Sequence, residues 1–361
     1  MGRMIWIICP ICFFTIKYLK LTMLVYAMIF HFLVDALCGS TMLRFVVEDL
    51  PEKAFELVML YNALAFATQV FTGWLADKLK HDRWLWFASI VILVSGATGA
   101  LKLPWLATVL LGLGNSLFHV SAGREVIRRY AYKGKGRAFE LGLFVAPGAL
   151  GIGLGCMFPM DVYVFSLSGI ILFYFLFVFV WIWSKETPET EAVENSESID
   201  VQSLLAAAVM TFCVFCRAAS GFCTEAPWKA STALTILCFV LVMGGKMAGG
   251  FVGDRCGHWL TGIAALAVSW ALFAFGGKNV VVGLSAQFIA NLMMAITLYI
   301  LVRLFPSSPG LMFGLAAAVL FPGSLMQMLP NHGFIFNVAY LLAAISFGIA
   351  WWLCHKRKSC S

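Results

Sequence analysis

Charge is what this sequence has least of. Of its 361 residues only 12% are Asp, Glu, Lys or Arg, while 61% are hydrophobic. A soluble domain carries about 25% charged residues and about 45–50% apolar ones, so most of this chain's surface cannot face water. Catalytic signatures are missing too. No His-Glu-x-x-His, no phosphate loop ending in Gly-Lys-Ser/Thr and no Gly-x-Ser-x-Gly elbow occurs, which removes the chemistries those motifs serve. No Arg ladder marks a voltage sensor. An enzyme is not expected, nor a cofactor. The eleven Cys are scattered, mostly inside apolar runs, without secreted-domain spacing. The one C-x-x-C, Cys9 to Cys12, has no His or second pair nearby. Structural zinc sites use four ligands, so these are read as packing cysteines and no metal site is expected.

What is present is a series of long apolar runs. About 20 apolar residues cross a bilayer core as a helix, and such runs lie at 21–43, 54–75, 84–101, 104–126, 138–158 and 162–183, then at 201–223, 231–252, 259–276, 279–303, 310–330 and 333–354. They are long and do not alternate, which indicates helices rather than a barrel. The expected fold class is an all-α membrane protein, with twelve transmembrane helices in two pseudo-symmetric six-helix bundles. The first bundle takes 21–183 and the second 201–354. Between them, 184–200 is a polar linker with Glu186, Glu189, Glu191, Glu194, Glu197 and Asp200, composed like a disordered connector. Residues 1–20 read as an apolar, interfacial lead-in, too short to span before Lys17 and Lys20.

The formal charge of +7 sits in short loops, which points to a bilayer partner and not to nucleic acid. Lys78, Lys80 and Arg83, then Arg128, Arg129, Lys133, Lys135 and Arg137, fall on one side, and the tail 355–361 adds Lys356, Arg357 and Lys358. By the excess of Lys and Arg in cytoplasmic loops, both termini are cytoplasmic, in the cell's inner membrane.

The second half echoes the first. Gly73-Trp74-Leu75-Ala76-Asp77-Lys78 and Gly250-Phe251-Val252-Gly253-Asp254-Arg255 stand 177 residues apart, Ala146-Pro147-Gly148 and Phe321-Pro322-Gly323 175 apart, and Asn115 and Asn291 176 apart. Asp35-x-x-x-Gly39 faces Arg217-x-x-x-Gly221 at an offset of 182. Four matches near one offset indicate duplicated halves of parallel topology. In the Gly-x-x-x-Asp-basic element the Gly permits close helix approach. The Asp can accept from a neighbouring helix N-terminus or pair with Arg, which makes it a latch between halves.

This element is the loop signature of the major facilitator superfamily, which the whole chain resembles in architecture. The first copy has Lys80 where that pattern has Gly, and the second keeps Gly257. Within the superfamily the first half resembles the fosmidomycin-resistance family of drug exporters. The likeness lies in His31-Phe32-Leu33-Val34-Asp35, in Gly112 through His119 followed by Arg124, in Gly148, Gly151 and Gly155, and in Gln69. Cys156 stands where that family has Pro, in an ending associated with antiporters. The resemblance implies a secondary transporter working by alternating access, coupled to protons, that exports a small anionic or amphipathic compound and acts as a monomer. An uptake permease for an organic anion, or a non-transporting scaffold or enzyme on the same fold, are the alternatives.

Ionisable groups inside spans mark function by default. His31 and Asp35 lie one turn apart on one helix face and form a candidate proton carrier; alternatively, Asp35 is the structural partner of Arg217. Arg217, whose planar fork suits carboxylate or phosphonate, is the candidate substrate anchor, with Asn115, His119 and Asn291 as further contacts. A central cavity lined by spans one, four, seven and ten should hold them. Gly73, Asp77, Lys78, Gly250, Asp254, Arg255 and Arg124 are assigned to gating. Glu140 should answer Arg124 or Arg128, and Lys246 should snorkel or pair with an acid.

Overall fold

Apolar runs of this length satisfy their backbone groups by coiling, and every regular element of the computed structural model is helical. The structure describes residues 10–100, 102–132, 137–183 and 200–360, with side chains within 23–175 and 200–356. Residues 1–9, Lys133, Lys135 and the linker up to 199 lie outside the described residues, as do the side chains of Arg357 and Lys358.

The α-helices are α1 (Pro10–Thr41), α2 (Ala54–Asn62), α3 (Gln69–Leu79), α4 (Asp82–Gly99), α5 (Pro104–Val126), α6 (Phe139–Met157) and α7 (Pro159–Trp183). There follow α8 (Val201–Phe222), α9 (Thr232–Cys256), α10 (His258–Gly276), α11 (Val280–Asn291), α12 (Met293–Leu304), α13 (Pro309–Ala318), α14 (Leu320–Leu325) and α15 (His332–Cys360). Wider π-helical turns extend α1 over Met42–Val47, bridge α2 to α3 over Ala63–Ala67 and extend α5 over Ile127–Ala131. Helix is found in each of the twelve predicted stretches. Ten helical segments among the described residues are long and apolar enough to cross a membrane, and Pro159–Phe175 of α7 is a shorter apolar helix. The lead-in is not a separate element from Pro10 onward, because α1 is already helical there. Asp200 ends the linker as the N-cap of α8, its carboxylate accepting from the Ser203 amide.

Proline acts differently in the two copies of its motif. Pro147 sits inside an unbroken α6. Pro322 follows a break, since α13 ends at Ala318 and α14 starts at Leu320. Proline deprives the carbonyl four residues earlier of its donor, and for Pro322 that residue is Ala318.

Within the first half, α1 packs on α6 and α7, and α4 on α5; within the second, α8 packs on α15, and α9 and α10 on α11. The halves meet where α3 packs on α13 and α6 on α9. Glycines set both contacts. A Cβ on Gly73 would strike the backbone of Gly310, one on Gly314 the carbonyl of Gln69, and one on Gly250 the backbone of Ala138. These approaches are backbone to backbone, so no side chain larger than hydrogen fits without parting the helices.

Candidate functional site

The deepest polar cluster joins α1 to α5. His31 and Asp35 share one face of α1, with His31 Nε2 3.3 Å from Asp35 Oδ2. From α5, His119 brings its Nε2 to 2.9 Å from His31 Nε2 and 3.4 Å from Asp35 Oδ1. Asn115, one turn before His119, donates to Asp35 Oδ1 at 3.1 Å. The other ring nitrogens face backbone carbonyls: His31 Nδ1 lies 2.6 Å from Phe144 O and His119 Nδ1 2.9 Å from Asn115 O. A carbonyl only accepts, so both Nδ1 atoms carry hydrogen and two neutral rings would turn bare lone pairs on each other. Such a pair requires a cation between or on the rings. Gly148 of α6 closes the cluster, since a Cβ there would overlap His31 Nε2 and Asp35 Oδ2. Asp35 and His119 keep side-chain exposures of 16% and 12%.

Arg217 is elsewhere. It forms no direct ion pair with Asp35, and its guanidinium donates to Ala290 O at 3.4 Å. It lines a cavity of about 90 Å³ with Ser220, Thr224, Gln287, Asn291 and Tyr340. The walls come from α8, α10, α11 and α15, so Asn291 shares a cavity with Arg217 while Asn115 and His119 do not. This differs from the single cavity expected from spans one, four, seven and ten. Asn291 Nδ2 donates to Gln287 O at 2.8 Å. Lys246 of α9 donates to Val145 O at 3.4 Å and interacts electrostatically with both Asp35 and Arg217. Its side chain forms no ion pair with an acid among the described residues, contrary to one expectation.

A second cluster lies where α3 and α5 end. Asp77 Oδ1 accepts from the Gly310 amide at 3.0 Å and Oδ2 from the Leu311 amide at 2.8 Å, on the first turn of α13. Arg124 Nε adds 2.8 Å to Asp77, and Arg124 Nη1 reaches both oxygens of Asp82 at 2.6 and 2.5 Å. Arg128 completes Asp82 at 3.1 Å. Arg124 and Asp82 are each 4% exposed, so Arg124 is buried and not a snorkelling group. Glu140 answers neither Arg124 nor Arg128; its partner is Arg137 at 3.4 Å.

The repeat reproduces half of this arrangement. Asp254 accepts from the Ala138 amide at 2.9 Å and the Phe139 amide at 3.0 Å, at the start of α6, and from His258 Nε2 at 3.0 Å. Each Asp therefore seats on the N-terminus of a helix from the other half, where amides and helix dipole favour negative charge. Lys78 and Arg255 do not join them. Lys78 Nζ lies 4.1 Å from the Trp74 ring and Arg255 Cζ 4.0 Å from the Phe251 ring.

Asp82 was not singled out from the sequence, although an acid set among Lys78, Lys80 and Arg83 was a usable signal. Nor was a metal-ligand set, yet single ligand atoms of His31, Asp35 and His119 lie within 4.8 Å of one another.

No protein-family model and no curated protein matches this sequence. Solved structures do, and the chain shares its fold with a Major Facilitator Superfamily transporter. One such transporter, FucP in its outward conformation, is 11% identical with a TM-score of 0.63, over 92% of this chain and 98% of that one. A bacterial homologue of the iron transporter ferroportin, outward-facing, is 13% identical with a TM-score of 0.59, over 92% and 99%. At these identities the likeness is one of fold.

Proposed function

We propose that the chain is a proton-coupled secondary transporter working by alternating access, with twelve spans in two bundles, 21–183 and 201–354, and both termini cytoplasmic. One observation carries the reading: His31, Asp35 and His119 converge so that the two rings need a cation between them, on helices of a transporter fold. One proton supplies that cation and leaves the cluster neutral. The Asp77 and Asp254 seats act as latches that hold the cytoplasmic side shut. Two solved structures of similar fold are outward-facing, a state this closure fits.

The cargo is a small anionic or amphipathic compound. Arg217 carries a charge in its cavity with no carboxylate partner among the described residues, and a charge at such depth is costly without one. A carboxylate or phosphonate would supply the partner. The charge of Lys246 attracts Asp35 and repels Arg217, which links protonation at one site to anion affinity at the other. Export is supported by the resemblance of His31 to Asp35, Gly112 to His119 and Gly148 to Gly155 to the fosmidomycin-resistance exporters.

The test is flux in proteoliposomes with a panel of small phosphonates and carboxylates under an imposed pH gradient. Asp35→Asn should abolish gradient-driven accumulation and spare counterflow, because exchange moves no net proton. Arg217→Ala should lose both. Full gradient-driven transport by Asp35→Asn would remove the cluster from coupling.

A further inference from the structure

We infer that His31, Asp35 and His119 also form a site for one divalent transition-metal ion, of which Zn²⁺ is the best-matched probe. The inference uses the cluster proposed for the proton and goes beyond it, because ion and proton compete for the same lone pairs.

The arrangement is that of a built ligand set. Phe144 O and Asn115 O hold the two Nδ1–H groups at 2.6 and 2.9 Å, which fixes the tautomer with Nε2 free to ligate. A backbone carbonyl on the far nitrogen is the usual support of a metal-bound imidazole. Asp35 is held in turn by Asn115 at 3.1 Å. Two imidazoles and one carboxylate suit zinc or a related first-row ion and disfavour magnesium or calcium, which take oxygen.

The spacing agrees. At the usual Zn–N length of about 2.0–2.1 Å, ligand atoms around a tetrahedron stand about 3.3 Å apart. The two ring nitrogens stand 2.9 Å apart, and the carboxylate meets them through different oxygens, Oδ2 at 3.3 Å from His31 and Oδ1 at 3.4 Å from His119. To hold one ion the carboxylate must turn to bring one oxygen between the rings, and the ring-to-ring distance must open by a few tenths of an ångström. Three protein ligands leave a fourth position, as in open zinc sites.

The charges around the cluster set how the site responds to pH. On α1 these are His31 and Asp35 themselves with the Cys38 thiol beyond; on α5, His119; on α2, the Tyr61 hydroxyl; on α9, Lys246. Lys246 acts on all three ligands and opposes a second positive charge. Binding is therefore strongest where both rings are neutral and is displaced by acid.

The experiment is calorimetric titration of the purified full chain in detergent with ZnCl₂ alone, at neutral and mildly acidic pH, followed by CoCl₂ with visible spectra. Wild type should take up one ion per chain that His119→Gln and Asp35→Asn each remove. Magnesium should not compete, and acid should weaken the step. Cobalt should give the intense bands of four-coordination in wild type only. Monodisperse elution checks that the variants fold, and Zn²⁺ should raise the thermal midpoint of wild type and not of the variants. Zinc uptake equal in wild type and both variants belongs to surface Cys and His and overturns the proposal, as does an absence of saturable uptake. Flux in chelator-treated vesicles separates the two readings. Proton-driven transport that persists there leaves the proton reading standing whatever the titration shows, whereas variant-sensitive zinc uptake without pH-driven flux leaves the metal reading alone.

Discussion

Gly148 is a residue on which the cluster depends, because a side chain there would meet the ligating atoms themselves. Its absent Cβ is where His31 Nε2 and Asp35 Oδ2 lie. Gly148→Ala should therefore push α6 off α1 or swing the carboxylate away from the rings. The expected result is loss of gradient-driven flux, with a thermal midpoint below wild type. Gly348, inside α15, supplies the contrast, since a Cβ there meets nothing within 4 Å. Gly348→Ala should leave flux unchanged and stabilise by about 0.5–1 kcal/mol, the usual helix-interior difference. Equal damage by both would mean that the small residues serve helix packing generally and not the cluster.

At the scale of the element, the loop between α3 and α4 holds a strained residue with a history in the repeat. Lys80 caps α3 at φ 56°, left-handed backbone that costs an L residue about 1–2 kcal/mol. Its counterpart Gly257 takes φ 93° after α9 at no such cost. Lys80→Gly should raise stability by about 1 kcal/mol, read as a higher thermal midpoint, with the Asp77 contacts intact. A lower midpoint would show that Lys80 contributes through its charge. The Gly-x-x-x-Asp-basic motifs and the helical stretches were legible in the sequence because length, apolarity and local spacing encode them. The partners were not. An i, i+4 spacing tells that His31 and Asp35 share a face, and nothing in it says that His119, 88 residues past His31, is what that face meets. For the same reason the offset that aligned Asp35 with Arg217 predicted a matching position and misled about contact. Asp82 looked like one more loop charge because burial, which made it the partner of Arg124, is a tertiary property.

For the whole molecule, the two latches are alike in their amide seats and unlike in what backs them. Asp77 is braced by Arg124, Asp82 and Arg128. Asp254 has His258, and the repeat places Trp259 and Ile300 where Asp82 and Arg124 stand in the first half. Removing one member of a buried ion pair costs about 3–5 kcal/mol, so the α3–α13 contact should outlast the α6–α9 contact. Spin labels across each contact give the measurement. Asp254→Asn should broaden the α6–α9 distance alone, while Asp77→Asn should broaden both. Broadening of both contacts by Asp254→Asn, or of the α3–α13 contact alone by Asp77→Asn, would show that the clasps are energetically equal. Unequal clasps give the cycle an order of events: the weaker seam parts first and the stronger one sets the waiting time. The molecule would then turn about one side, with the braced seam as its pivot and the histidine-backed seam as the edge that swings.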